Sequence, residues 1–588
     1  MRPLFETLCG RVPIGGGTPS LYTSERAKTW GTVLHGEHCD IAIDGHFVLD
    51  GKLILGRSEA ERRAVAADVE RDLPGFLRRI DNGFFNLVVH DRRSRTTSFA
   101  NDCFGGLPLY LRFNANEVVF ASSHDGLREL CDTPLAHDPV GLAELYWFGY
   151  QLGERTAFRG VECLPRGSVL SIAWDDGRRQ VSAYDGVTSA PITFGSPQQA
   201  SDHLFETMRA AAAALYRDDA VYGVKLSGGM DSRFVCAAWP DRRLRTYTFG
   251  FPRSREIAAA ARLSAALGLR NTAVPVSGDF FSALHPPIFG RHGIVEWFHQ
   301  ALVPAMQCDG IELVLDGLAG DVVVGGLTLK RSQSRWRQAL GLAPDGRSFP
   351  STPDALASYL VDINKVGDGG YRPLTGDALQ AVNAHWDDIH ADMLAEVKRA
   401  SLATSSPEHL CTEVIFRNRT RRHISLQGTV CRPEVETIYP LLDRRFLALM
   451  GQLPPEWVAS KRLYIELYSR HYEHIRRAPS TFSLLPFTVA PSWHFAGRVL
   501  RYLLERAGTA VSWRTHGRVN PWVSDGIQWH RWLAFEPALQ RAAHAWLQSS
   551  SAFDEEAYWR SLAALQQRPG FSGTRFMFTA SYCAYFQR

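Results

Sequence analysis

No stretch of this 588-residue chain is long and apolar enough to cross a bilayer as a helix, so a helical membrane protein is excluded at the outset. Ten cysteines stand at positions 9, 39, 103, 131, 163, 236, 308, 411, 431 and 583, and no two form a C-x-x-C pair. Neither a zinc site nor a disulfide framework is therefore expected, and a reducing cytoplasm is the expected location. Charge of one sign is lacking too: 65 basic residues face 61 acidic ones, for a formal net charge of +4. That balance gives no reason to expect nucleic acid or an acidic membrane surface as a partner. The start, Met1-Arg2-Pro3-Leu4-Phe5-Glu6, brings an acid early and no apolar core, so no signal peptide is expected. Internal repeats and low-complexity tracts are absent. What remains is a globular composition, 45% hydrophobic and 21% charged. At this length it allows about two to four domains, each with its own core.

Three textures divide the chain. Residues 1–190 read as short strands and turns: Phe84 to His90 is an apolar run closed by Asp91-Arg92-Arg93-Ser94, and Leu109 to Phe113 and Val118 to Ala121 flank a polar turn. The Gly/Pro/Ser-rich connector 185–197 marks a boundary. From 200 to 490 helix and strand alternate: a helix over 198–215, strand 221–226, helix 232–239, strand 244–249, helix 254–267 stopped by Gly268, and strand 271–276. This is the rhythm of a parallel sheet, whose ligands lie beyond the carboxyl ends of the strands. Past about 350 the chain turns mostly helical, and 491–588 reads as a helical extension without a motif. The expected class is α/β and multi-domain.

The most informative residues are Ser227-Gly228-Gly229-Met230-Asp231-Ser232, between a predicted strand and a predicted helix. Glycines let the backbone turn tightly and bring its N–H groups against a ligand, serines add hydroxyls, and the helix start adds a positive dipole end. Such a nest suits a polyanion, most simply pyrophosphate. Asp231 does not suit a bare phosphate cradle but does suit a Mg²⁺ bridging phosphate oxygens. At ordinary glycine and serine usage a chance occurrence is on the order of one in a thousand, which favours function over an ordinary turn. A second strand, 311–315, opens into Asp316-Gly317-Leu318-Ala319-Gly320-Asp321 and continues to Gly326. If the two strands are neighbours, Asp231 and Asp321 converge, and two carboxylates beside a phosphate cradle need a cation between them.

The first loop resembles the pyrophosphate loop of the asparagine-synthetase-like ATP pyrophosphatases, which cleave ATP between the α and β phosphates and form an acyl-adenylate. The second resembles that family's S-G-x-G-x-D-E-x-x-x-G-G segment at Gly317, Asp321, Gly325 and Gly326. It departs from it at Leu318, where asparagine synthetases carry a catalytic Glu and β-lactam synthetases a Tyr, and at Val322, where an acid is usual. Tyr247 to Phe251 with Glu256 looks like the strand covering the adenine. Glu436 to Asp443 looks like the E-x-R-x-P-F-L-D segment with Ile438 in place of its Arg. The resemblance implies ATP and Mg²⁺ as cofactors. It implies that Ser227, Gly228, Gly229 and Ser232 hold pyrophosphate, that Asp231 and Asp321 hold the metal, and that Leu226, Phe249, Asp316 and Gly317 contact the nucleotide. A cation is required to offset charge on the leaving pyrophosphate, and Lys461, Arg476 and Arg477 are the candidates, with Lys461 and Arg477 preferred. His423 and His471 are candidate bases for the amine.

Residues 80–125 resemble the class II glutamine amidotransferase domain, through Asp81 to Asp91 and Asp102-Cys103-Phe104-Gly105-Gly106-Leu107-Pro108-Leu109-Tyr110. Those enzymes use an N-terminal cysteine whose α-amine serves as base. This chain begins Met1-Arg2-Pro3, and Cys9-Gly10 resembles the usual start only after eight preceding residues. An inactive glutaminase-like domain is therefore expected, and an amine already present on the substrate. Among amide-forming branches of the family, lasso-peptide macrolactam synthetases fit best. These adenylate an Asp or Glu side chain for attack by the peptide's own N-terminal amine. The partners then implied are a precursor peptide, a leader-peptide recognition protein and a leader peptidase. A β-lactam-synthetase-type or sugar-acid ligase, an amidotransferase using free ammonia, and a non-catalytic ATP-binding scaffold are the alternatives.

Overall fold

The computed structural model describes residues 8–23, 33–184, 192–241, 243–251, 254–276, 280, 297–326, 349–367, 371–459, 461–519, 529–567 and 573–586. The front of the chain forms two antiparallel sheets packed face to face. One has the strand order Val161–Cys163, Tyr110–Phe113, Glu117–Ala121, Leu8–Pro13, Ser20–Thr23. The other runs Arg179–Ala183, Ser168–Ala173, Thr96–Asn101, Ile80–Asp91, Cys39–Leu49, Leu34–His35, with Lys52–Ile54 also pairing against Cys39–Leu49. Alternation along the strands sorts the side chains by face. Ala42, Val88 and Phe99 point inward against Leu8, Val12, Leu111 and Phe120, whereas Ile41, Ile43, Leu87 and Val89 point outward. The outward set is covered by the helices Glu59–Arg71 and Leu73–Arg78 through Val65, Val69 and Phe76. Those two helices, with His124–Leu130 and Pro139–Phe148, make the front layer more helical than its strand-and-turn texture suggests. Pro139–Phe148 is buried over most of its length, so it shows no amphipathic period for a reader of sequence to find.

Behind this sandwich lies a five-stranded parallel sheet in the order Asn271–Pro275, Arg245–Gly250, Tyr222–Lys225, Leu313–Leu315, Glu436–Ile438. The first three strands build outward in one direction and the next two in the other. The order therefore reverses between Tyr222–Lys225 and Leu313–Leu315, where a crevice opens at the carboxyl edge. The register there is Tyr222 with Leu313, Gly223 with Val314 and Val224 with Leu315. Both glycine-bearing loops leave from this pair, side by side.

The two regions are joined by buried polar contacts. Arg432 donates to Asp44 at 2.7 Å and to Glu436 at 3.1 Å, and His46 Nδ1 lies 3.2 Å from Glu436. Burying a guanidinium costs several kcal/mol unless its partners are fully engaged; here Asp44 and Glu436 hold Arg432 charged, and against the pull of burial Arg432 and His46 hold Glu436 below the usual carboxylate range. Asn82 donates to the Tyr439 carbonyl, and Phe84 packs on Tyr439 with ring centroids 4.7 Å apart. The helices beyond 491 return to the front domain rather than standing apart. The His124 ring is 2.8 Å from the Tyr585 hydroxyl, and Arg575 donates to the Tyr146 carbonyl. Gly149, at φ +84°, leaves no room for a Cβ beneath the Phe578 ring.

Candidate active site

At the strand-order reversal is a cavity of about 570 Å³. Lining it are Leu226, Ser227, Asp231 and Ser232 from the first loop, Asp316, Gly317, Leu318, Ala319, Asp321 and Val322 from the second, and Phe249 from the neighbouring strand. The loops touch so closely that glycine is obligatory. A Cβ on Gly317 would stand 2.8 Å from the Ser232 nitrogen and 2.9 Å from the Asp231 carbonyl carbon. One on Gly320 would reach Asp231 Oδ1 at 2.6 Å. Ala319 carries the turn at φ +77°, a conformation L side chains rarely adopt.

The first loop is held from three sides. Its own side chains close it: the Ser227 N–H donates to Ser232 Oγ at 3.0 Å, and Gly229 N–H donates to Ser227 Oγ at 3.1 Å. The Gly228 N–H donates to Glu256 at 2.7 Å, so a carboxylate sits on one amide of the nest. Arg233, fully buried, donates to the Ala478 and Pro479 carbonyls at 2.8 and 2.9 Å. Its guanidinium also lies 5.1 Å from the Phe487 ring. Desolvation pulls its pKa down to about 10. Thr481 N–H then donates to the Gly228 carbonyl at 2.9 Å, pinning segment 478–481 across the loop.

The helix Arg462–His471 supplies the third side and reaches both carboxylates. Tyr464 donates its hydroxyl to Asp231, and Tyr468 donates to the Met230 carbonyl at 2.5 Å. Lys461, just ahead of that helix at φ +57°, places its ammonium 2.6 Å from Asp321 Oδ1 while only 6% exposed. Burial and the charges of both Asp231 and Asp321 push the Tyr464 hydroxyl well above its ordinary pKa, so it is a permanent donor. Asp316 accepts from the Leu318 N–H at 3.0 Å and lies 3.3 Å from Lys225 Nζ. His299, edge-on to Phe249 at 5.1 Å, is kept neutral by burial and by Lys225.

Lys461 thus joins the constellation, although it does not line the cavity itself. The Gly228 and Gly229 amides are directed into the loop's internal bonds and toward Glu256. Arg477 is exposed and Arg476 pairs with Glu473 at 2.6 Å, and neither lines the cavity. His423 is buried edge-on to Phe578, and His471 stacks on Phe205 at 4.3 Å and pairs with Asp202 at 2.6 Å, both away from this cavity. Cys9 is buried inside the strand Leu8–Pro13, with Tyr22 opposite it on one side and Ala121 on the other. Six lining residues had no signal in the sequence: Lys225, His299, Leu302, Arg419, Thr420 and Ile424. The last three belong to a π-helix, Phe416–Ile424, a geometry that recurs at functional sites and that no local sequence pattern announces.

Whether this site suits Mg²⁺ and a nucleotide is decided by its donors. Among the described residues no three His, Cys, Asp or Glu side chains converge as an all-protein metal cage. Two carboxylates beside a backbone nest are what Mg²⁺ uses when phosphates supply the remaining oxygens. In this structure the cation at Asp321 is Lys461, its ammonium on Oδ1.

The chain matches the asparagine synthase family over residues 203–464 and the glutamine amidotransferase domain over residues 74–185. Its two matched segments are thus asparagine-synthase-like and glutamine-amidotransferase-like. Its architecture is that of an α/β multi-domain chain with a class II amidotransferase-like front domain and a parallel-sheet synthetase-like domain. Relatives in Mycobacterium bovis and Mycobacterium tuberculosis, named "Putative asparagine synthetase (glutamine-hydrolyzing)", are 29% identical over 312 residues. The match covers 49% of this chain and 45% of each relative, so it spans about half the length of those proteins. Among solved structures, a glutamine phosphoribosylpyrophosphate amidotransferase from B. subtilis complexed with ADP and GMP is 12% identical over 56% of this chain and 72% of its own. The TM-score is 0.20.

Proposed function

We propose that this protein is an ATP-dependent, AMP-forming carbon–nitrogen ligase that adenylates a carboxylate for attack by an amine. The observation that carries this is the pairing of the two loops across the strand-order reversal, with Asp231 and Asp321 both within the electrostatic reach of Tyr464. Ser227 and Ser232 would receive pyrophosphate, with Gly228 and Gly229, whose amides bond Glu256 and Ser227 here, shaping the loop, and Leu226, Phe249, Asp316 and Gly317 would take the nucleoside end. Asp231 and Asp321 would hold Mg²⁺, which supplies charge neutralisation between phosphate oxygens. Lys461 holds positive charge at Asp321, where it offsets the charge of departing pyrophosphate.

The amine is proposed to come from the substrate itself. Cys9 is locked in a strand ladder and buried in the core, and Leu318 puts an apolar side chain where the family's asparagine-forming members carry a Glu. Both favour a lasso-peptide cyclase that joins a core peptide's N-terminal amine to an Asp or Glu side chain, over asparagine formation. Holding both reacting ends of one molecule makes the attack intramolecular, which offsets several kcal/mol of barrier. A precursor peptide, a leader-recognition protein and a leader peptidase would be its partners. The name carried by the mycobacterial relatives favours a second reading, an amidotransferase acting with glutamine or free ammonia. Purified protein with MgATP and a peptide, glutamine or ammonium separates the two. Peptide-dependent AMP with loss of one water from the peptide mass supports the cyclase. AMP that requires ammonium or glutamine supports the amidotransferase, and no AMP with any of them removes the ligase.

A further inference from the structure

The charges around the cavity are nearly all spoken for. Asp231 accepts from Tyr464, Asp321 from Lys461 and Glu256 from Gly228, while Asp316 lies against Lys225. Arg419 is the exception. It is half-buried, lines the cavity, and forms no ion pair or hydrogen bond among the described residues. Its neighbour Thr420 is 2% exposed and also lines the cavity, and its hydroxyl has no hydrogen-bond partner among the described residues. A buried hydroxyl left unpaired costs about 1–3 kcal/mol, and a partly desolvated guanidinium without a counter-ion is costly too. Two adjacent unmet donors facing one cavity are the signature of a site whose acceptor is the ligand.

The local backbone explains how both are presented. Residues 416–424 form a π-helix, wider than an α-helix, that is clamped on its far side. Arg421 donates to the Gly105 and Leu164 carbonyls, Arg422 to those of Gly153 and Arg155, and Ser425 to that of Gly106. The front domain therefore fixes 421, 422 and 425, and leaves 419 and 420 turned to the cavity.

We infer that Arg419 and Thr420 form the anchor for the carboxylate of the acyl substrate, the guanidinium fork donating to the anion and the hydroxyl donating alongside it. This rests on the adenylating-ligase reading and names the residues that select its acid. Arginine suits the role because its planar fork matches carboxylate geometry, remains charged at any working pH, and is less strongly hydrated than an ammonium. Arg419 and Thr420 are positioned by the front domain, which gives that domain a use in substrate recognition.

The test uses the full-length chain and phenylglyoxal, an arginine reagent, with modification of the Arg419 peptide read by mass spectrometry. The added probes are doubly blocked aspartyl and glutamyl amides, each with only a side-chain carboxylate, and their Asn and Gln counterparts. All arms contain Mg²⁺ and a non-hydrolysable ATP analogue. The acidic probes are expected to slow modification of Arg419 several-fold and the neutral ones to leave it unchanged. Equal protection by both, or by neither, overturns the inference. Protection by the nucleotide analogue alone reassigns Arg419 to phosphate binding and overturns it as well. Thermal stabilisation by MgATP is read in parallel: its absence removes the ligase reading, while the arginine result is still interpretable on its own. Arg419→Lys, which keeps the charge and loses the fork, should raise KM for the acidic substrate by about 10- to 100-fold and leave KM for ATP unchanged. A fall in kcat with both KM values intact would contradict an anchoring role.

Discussion

Adding one methyl group at Gly317 should separate the two halves of the candidate site without touching any charged group. The Cβ of Gly317→Ala would meet the Ser232 nitrogen at 2.8 Å, the Asp231 carbonyl carbon at 2.9 Å and the Asp231 Cβ at 3.0 Å. Two of these atoms are backbone, and the segment they belong to is tied down by Tyr464, Tyr468 and Arg233, so no side chain can swing aside. Relief requires the loops to part by several tenths of an ångström. Overpacking of this kind costs about 1–3 kcal/mol. Because the loops carry the proposed pyrophosphate nest and the proposed metal carboxylates, affinity for MgATP should fall by about tenfold or more, since 1.4 kcal/mol corresponds to a factor of ten. The matched control is Gly376→Ala, at the first turn of the helix Gly376–Asn383, where a Cβ meets nothing within 4 Å. Isothermal titration with MgATP and thermal unfolding on both variants give the answer. If Gly317→Ala binds MgATP like the parent and like Gly376→Ala, the close apposition of the loops does not build the site.

Further outcomes follow from the same contacts. Arg233→Lys loses the fork that joins Ala478 and Pro479 to the first loop. It should lower stability by about 2–4 kcal/mol in denaturant titrations, and an unchanged midpoint would show that segment 478–481 is held by other means. Asp102 is fully buried, and desolvation raises its pKa to about 6 although the Phe85, Phe104 and Gly105 amides donate to it. Its folded-state pKa lies above its unfolded value, so the stability it contributes is present below about pH 4 and is lost as pH rises through 6. Asp102→Asn should therefore be less destabilising at pH 7 than at pH 4, by about 2–3 kcal/mol, and the opposite order would refute the assignment. Cys9→Ala removes a small buried side chain and should cost about 1 kcal/mol while leaving AMP formation intact; loss of ammonia-independent activity would contradict a purely structural Cys9.

Much of the synthetase-like half was legible because its rules are local. The strand, glycine-rich loop and helix at 222–238 follow from periodicity and punctuation, and the helix ending at Leu267 stops where Gly268 adopts φ +69°. That Asp231 and Asp321 share a crevice required only that their strands be neighbours, which the register confirms. The rest depended on contacts between distant residues. Nothing in Phe416-Arg417-Asn418-Arg419-Thr420 announces a π-helix, because its geometry is imposed by Arg421 and Arg422 reaching carbonyls about 250 to 320 positions away. Lys461 and Arg477 look alike as lone basic residues. Only tertiary placement sets one on Asp321 and leaves the other in solvent. Arg233 was visible as part of a motif, but its carbonyl partners 245 and 246 residues on were not. The return of the last helices to the front domain through Arg575, Phe578 and Tyr585 likewise has no local signal.

The most direct test of the account is the identity of the nucleotide product, read by ³¹P NMR on purified protein with MgATP and the acyl substrate, beside Asp231→Asn and Asp321→Asn variants whose folding is verified. The account predicts AMP and pyrophosphate from the parent and loss of both from either variant. ADP and inorganic phosphate from the parent, or undiminished AMP from Asp231→Asn, would contradict it.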